Sequence, residues 1–293
     1  MSTVHHVAAT GFGAGTNELY DRARPSYQPQ VLQYIRDQIS SPGSLNLVEI
    51  GSGTGIFTRA LLAHPAWSSA LGALRAIEPS SGMRDQFNKT VHDPRISCRD
   101  GTFDTTAVED GWADAVVIAQ AFHWCPDYNA ASAEFARILK PGGAVFLVWN
   151  LEDREKARWV AELRDAYEQH EGGTPQFRLG LWRATFDTPN YIQYFEKPVE
   201  QTWEHAITST EDSVVDRVCS KSYIAILPED EKNKVKDTVR EIVRKGEEKV
   251  WIDKDAGIFE FPYQTLVVLA RKKQRRKPTV YPLSRQADYE PLE

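Results

Sequence analysis

The chain has 293 residues, enough for one large domain, and its 41% hydrophobic and 26% charged content is that of an ordinary soluble globular protein. No apolar run approaches the roughly 20 residues that span a bilayer, and the first residues lack the basic-then-apolar order of a secretion signal. The net charge of −6 conceals six cations within residues 271–277, so the rest of the chain stands at −12, an acidic body unsuited to tracking nucleic-acid phosphates.

The three cysteines, Cys98, Cys125 and Cys219, are odd in number and widely spaced, and form neither a disulfide framework nor a metal pattern. A reducing, cytoplasmic setting is expected. The basic run reads as a solvated stop after the last strand, with a nuclear address or an anion-binding tail as the alternatives.

In chain order, residues 29–39 read as a helix with Val31, Leu32, Ile35 and Ile39 on one face. A strand is expected at 45–50, then a glycine turn and a helix with Ile56, Phe57, Ala60 and Leu61 inward. A second strand at 73–77 ends in Glu78-Pro79, and a short helix begins near Ser80. Strands at 95–98 and 113–119 follow, the latter a near-continuous apolar run suited to a parallel sheet covered on both faces. Asp127 caps a helix that ends in Lys140-Pro141-Gly142-Gly143, and a fifth strand occupies 144–149. Beyond it lie a charged helix at 154–170, a strand at 201–209, a helix opened by Pro228 and its acids, and a last strand at 265–270.

The apolar residues 45–50 break into three alternate glycines, Gly51, Gly53 and Gly55. Such a turn is bare enough for a ligand to lie against backbone, where a Cβ would forbid positive φ or collide. Glu49 sits two residues before the first glycine. A pyrophosphate cradle has little use for a carboxylate there, whereas a cationic ligand does. Glu78 closes the second strand, where a carboxylate can accept both ribose hydroxyls of a nucleoside. The spacing also differs from the Gly-x-Gly-x-x-Gly of dinucleotide sites, which disfavours a nicotinamide-dependent oxidoreductase. A nucleoside bearing positive charge fits all three features, and S-adenosylmethionine, with its sulfonium and ammonium, is one.

Residues 48–55 resemble motif I of the class I S-adenosylmethionine-dependent methyltransferases, residues 77–83 their acidic-loop motif, and residues 139–143 the turn before strand five. Residues 20–27 and 119–124 are similar to segments of the type 11 small-molecule group, which includes the trans-aconitate methyltransferases and fungal relatives. The resemblance spans residues 12–272. It implies an α/β fold: a doubly wound, seven-stranded, mostly parallel Rossmann-like sheet with an antiparallel last strand and a helical cap. The expected divisions are a cofactor-covering segment (1–44), the binding core (45–150), a cap with a late strand (151–256), the last core strand (257–272) and an irregular basic tail (273–293).

The resemblance also implies roles. Gly51, Gly53 and Gly55 would line the methionine and ribose portions of S-adenosylmethionine, Glu49 orient the ammonium and Glu78 take the ribose hydroxyls. Met83 would pack on the adenine, with Thr102 and Phe103 at its edge, although the family more often has Ala-Glu where this chain has Phe103-Asp104. Tyr20 and Arg24 would close over the cofactor carboxylate, and Pro79, Ala119 and Gln120 complete the set. For a small-molecule acceptor (carboxylate, hydroxyl, amine or thiol) the candidate contacts are His123, Trp124, Trp149 and Trp182, with Arg178 and Arg183 suited to a carboxylate-bearing or aromatic molecule. His123 is the candidate catalytic group, with a structural role and a pocket-wall role as its rivals. A methyltransferase-like protein that binds the cofactor without turnover is the alternative function.

Overall fold

The computed structural model describes residues 17–41 and 43–274. Helix α1 (Asn17–Ala23) leads to α2 (Pro29–Asp37), where Pro29 starts the helix and Val31, Leu32 and Ile35 form its buried face. Next come β1 (Leu45–Ile50), α3 (Ile56–Ala63), the short α4 (Pro65–Ser68), β2 (Leu71–Ile77) and α5 (Ser81–Thr90). The Ser80 hydroxyl caps α5 by accepting from the Met83 amide. Strands β3 (Ile96–Arg99) and β4 (Ala113–Ala119) precede α6 (Tyr128–Ile138), whose first amides donate to the Asp127 carboxylate. The second half contains β5 (Leu139–Glu152), α7 (Arg158–Glu168), α8 (Pro189–Tyr194) and β6 (Val199–Ser209). It closes with α9 (Glu211–Cys219), α10 (Ser222–Ala225), α11 (Glu229–Lys245), β7 (Trp251–Asp253) and β8 (Ile258–Arg271).

The strands form one sheet in the order β3-β2-β1-β4-β5-β8-β6. The first five are parallel, and β8 runs antiparallel between β5 and β6. Successive residues of the central strands serve opposite faces, as the period of two requires. Val48, Val116, Ile118, Val145 and Leu147 face the layer holding α6, whereas Leu47, Ala115, Val117, Phe146 and Val148 face α2 and α3. A third core lies beyond the parallel strands, where Phe259, Phe261 and Tyr263 of β8 support α7, α9 and α11. That third core is the cap.

Several boundaries differ from the sequence expectation. An eighth strand, the three-residue β7, pairs with β8. The fifth and last strands are longer than the expected 144–149 and 265–270, because their antiparallel ladder continues to Glu152 and Tyr263, past the apolar runs. The 154–170 helix begins only at Arg158. Of the basic run, Arg271 ends β8 and the Lys272 ammonium donates to the Leu139 carbonyl at 2.6 Å, while residues 275–277 lie outside the described residues. Among the described residues no helix is long and apolar enough to cross a membrane, and no cluster of His, Cys, Asp or Glu is arranged to hold a metal ion.

Neighbouring β1 and β4 send their connections to opposite sides of the sheet. A crevice opens at their C-terminal ends, where open α/β sheets take ligands.

Candidate active site

The glycine turn sits at that crevice. Gly51, Gly53 and Gly55 all have positive φ (71°, 56° and 87°), but their missing side chains serve different ends. A Cβ on Gly51 would lie 2.4 Å from the Ala121 Cβ, and one on Gly55 would strike Val91 and Phe87 at 2.8 and 2.9 Å. Those two glycines allow close packing. A Cβ on Gly53 would meet nothing within 4 Å. Gly53 is therefore the open position against which a ligand can lie.

Glu78 fastens the turn from β2. Its carboxylate accepts from the Gly53 amide and from the Ser80 amide, both at 2.9 Å. Glu49 is 2% exposed and accepts from the Thr58 hydroxyl. Burial pushes its carboxyl up to about 8; the Thr58 bond offsets part of this and the Glu78 charge adds to it. The Thr58 bond and the Arg59 charge favour the ionised carboxyl in part, and a cation arriving in the cleft would favour it further.

Helix α1 covers the cleft. The Asp21 carboxylate accepts from the Thr54 hydroxyl at 2.6 Å and pairs with Arg59, so it ties α1 to the turn. Tyr20, Arg24, Glu49, Gly51, Gly53, Ala119 and Gln120 line one cleft. Tyr20, Arg24 and Gln120 also line a second cavity of about 70 Å³ on the cap side. Gln120 is non-glycine at φ 57°, a conformation costing about 1–3 kcal/mol. It is held there by its amide on the Val148 carbonyl (2.8 Å) and its side chain on the Asn150 carbonyl (2.6 Å). This strained residue forms the wall between the two spaces.

The second cavity is walled by His123, Trp124, Asn150, Tyr167 and Phe177 together with charged residues of the cap. The Trp149 indole N–H donates to His123 Nδ1 at 3.2 Å, which puts the proton of the neutral imidazole on Nε2. Burial, and then the Arg24 charge, lower the His123 pKa to about 3. His123 is thus neutral at physiological pH and presents a donor.

Deeper in the cap, Glu152 is fully buried, with Arg217 at 2.9 Å and Lys221 at 3.2 Å from the same carboxylate oxygen. Burial alone would raise Glu152, but the two cations hold it well below the usual carboxylate range. Burial, and then Arg217, push Lys221 down to about 7. Arg178 pairs with Glu168 and Glu171.

Trp149 and Trp182 are not the expected walls. They are 0% and 1% exposed and pack on each other at 4.4 Å, behind the cavity, because β5 aims Trp149 into the α6-side core. Arg183 pairs with Glu200 away from the cavity. Gly55 is absent from the cleft lining and starts α3 instead. The Phe103 ring packs edge-on to Phe122 at 5.8 Å, and the Thr102 hydroxyl donates to Asp104. Met83 is 2% exposed on α5, and Pro79 lies in the turn after β2. Sequence reasoning missed Asp21, Glu152, Tyr167, Arg217 and Lys221. The one available signal was the cations at 217 and 221, four apart, within and just after the apolar pattern of Val214, Val215 and Val218.

The cleft fits S-adenosylmethionine: open backbone at Gly53, a buried carboxyl at Glu49, and a buried Arg24 Nε with no hydrogen-bond partner among the described residues. A methyltransferase domain model matches residues 48–147. An uncharacterized methyltransferase of Mycobacterium bovis is 31% identical over 224 residues, 76% of this chain and 82% of its own. An uncharacterized methyltransferase-like protein of Schizosaccharomyces pombe is 29% identical over 228 residues, 77% of this chain and 83% of its own. A solved structure from Anaeromyxobacter dehalogenans, provisionally assigned as a type II methyltransferase, superposes with a TM-score of 0.55 at 16% identity, covering 86% of this chain and 97% of that one. These likenesses reach the family and leave the trans-aconitate subgroup as a resemblance of motifs. The chain belongs to the class I S-adenosylmethionine-dependent methyltransferases.

Proposed function

We propose that this protein methylates a small-molecule acceptor seated in the cap cavity, with the reacting atom at the junction formed by Tyr20, Arg24 and Gln120. The observation that carries this reading is that these three residues line both spaces, so a cofactor cleft and an acceptor cavity meet there. When bound, S-adenosylmethionine supplies a methyl group on a sulfonium, whose departure as a neutral thioether creates no anion for the protein to stabilise.

The chain's task is then positioning. Glu78 fixes the turn that carries Gly53, and Glu49 and Arg24 grip the two charged ends of the amino-acid portion. Helix α1, tied down through Asp21, excludes water. Gln120, locked by two hydrogen bonds, sets the wall along which donor and acceptor atoms align at roughly 3–3.5 Å. His123 offers its Nε2 proton to the acceptor. It orients the acceptor by donating a hydrogen bond and does not act as the base.

Incubation with methyl-labelled S-adenosylmethionine and a metabolite extract, followed by mass spectrometry, tests the proposal. A labelled small molecule dependent on the protein is expected. Cofactor binding with no labelled product in extracts of varied origin would instead support a binding protein without turnover.

A further inference from the structure

The cap cavity carries more positive charge than its own carboxylates balance. Arg24, Arg178, Arg217 and Lys221 line it against Glu168 and Glu171. Directly behind, the Glu152 carboxylate is shared by Arg217 and Lys221, and Arg164 pairs with Glu168 at 2.6 Å while its guanidinium donates to the Glu152 backbone carbonyl at 3.1 Å. With Arg164 and Glu152 included, five cations face three carboxylates, an excess of two charges when Lys221 is protonated. Arg217 and Lys221 are 4% and 7% exposed and share a single oxygen of Glu152. Buried charge without a counterion is costly, so an arrangement of this kind calls for an anion from outside the chain.

Of the unpartnered buried atoms of Glu152, Arg217 and Tyr167, Glu152 Oε2 is an acceptor and the other two are donors. Arg217 Nη1 and Tyr167 Oη are buried and have no hydrogen-bond partner among the described residues. Both residues line the cavity, and the Lys221 ammonium sits over the Tyr167 ring at 4.0 Å. The three residues therefore cluster around one space. An anion entering it would satisfy two orphaned donors and oppose the Arg217 repulsion that weakens the Lys221 charge.

We propose that Arg217, Lys221 and Tyr167 form an anion-holding subsite that takes a carboxylate carried by the acceptor. The reading rests on the proposed acceptor cavity. Of the two excess charges, Arg24 answers the carboxylate of the cofactor. One charge remains, which suits a monoanionic carboxylate rather than a doubly charged phosphate. Glu152 is the tether: it holds Arg217 and Lys221 side by side from the floor and leaves their remaining hydrogens for the ligand.

Calorimetric titration of the protein saturated with S-adenosylhomocysteine tests the subsite, with acetate, benzoate and succinate as probes against acetamide, benzamide and succinamide. At least one carboxylate is expected to bind ten or more times tighter than its amide. Lys221→Met should abolish that preference, and Tyr167→Phe should weaken the carboxylate several-fold, each with unchanged S-adenosylhomocysteine affinity and a cooperative thermal transition. If no carboxylate exceeds its amide in a protein that binds S-adenosylhomocysteine, or if methyl phosphate binds tighter than every carboxylate, the subsite proposal is overturned. If S-adenosylhomocysteine itself fails to bind wild type, the underlying functional reading falls instead.

Discussion

The two halves of the site are built differently. The cofactor half is made from strand ends and the turns that follow them: Glu49 near the end of β1 and Gly53 after it, Glu78 after β2, Gln120 after β4. The cap half draws Glu152, Tyr167, Arg217 and Lys221 from β5, α7, α9 and the loop after α9. In the first half the charges are few and backbone amides do much of the holding. In the second, ionic groups are buried together and hold one another. A half of the first kind is tied to one ligand by its backbone shape, whereas one of the second kind can change its acceptor by changing side chains on fixed helices.

The largest expected effect is on the stability of the cap. Glu152→Ala leaves Arg217 and Lys221 buried without their counterion and should cost about 3–5 kcal/mol, read as a lowered urea midpoint. A loss below about 1 kcal/mol would mean the pair relaxes into water and the cap is not built on charge. Glu78→Ala strikes the other half. It removes two amide partners, each worth about 1.5–3 kcal/mol to a charged acceptor, and should weaken S-adenosylmethionine by about 100-fold or more. An unchanged affinity would show that the turn holds its shape without β2.

Titration distinguishes the halves at smaller amplitude. Burial raises the Glu49 pKa to about 8, so the folded protein holds this proton at pH 7. By linkage, this group's contribution to stability is greatest below its unfolded pKa and declines as pH rises toward 8. An ammonium favours the ionised form, so cofactor binding at pH 7 should release up to about one proton, and affinity should rise from pH 6 to 8 and then level. Calorimetry in two buffers of different ionisation enthalpy reads the release; no buffer dependence would remove Glu49 from the ammonium site. The smallest effect concerns His123. With its pKa lowered to about 3, it contributes no step near neutrality to the pH–rate profile, and His123→Gln, which keeps a donor, should retain more activity than His123→Ala. A rate limb near pH 6.5 that disappears in His123→Gln would restore the base.

The same contrast explains what could be read from the sequence. Cofactor-side residues follow a rule of order: apolar strand, acid, alternate glycines, second strand, acid. That order survives in one dimension, because each residue's role comes from its place at a strand end. The parallel strands were legible for the same reason, and strand extension into Glu152 and Tyr263 was not, since it depends on an antiparallel partner over 100 residues away. The cap cluster has no such order. Arg217 and Lys221 look like solvated helix charges until β5 places Glu152 beneath them. Trp149 and Trp182 show the opposite: the density of aromatics over residues 149–223 suggests pocket walls, yet their large apolar area packs in the core, where Trp149 reaches the cavity only through its N–H on His123.

The most direct test of the two-part site is one calorimetric series: S-adenosylhomocysteine titrated into wild type, Glu78→Ala and Lys221→Met. The account predicts binding to wild type, its loss in Glu78→Ala and an unchanged affinity in Lys221→Met. Comparable loss in Lys221→Met, with the variant folded, would contradict it by placing the cofactor in the cap cavity.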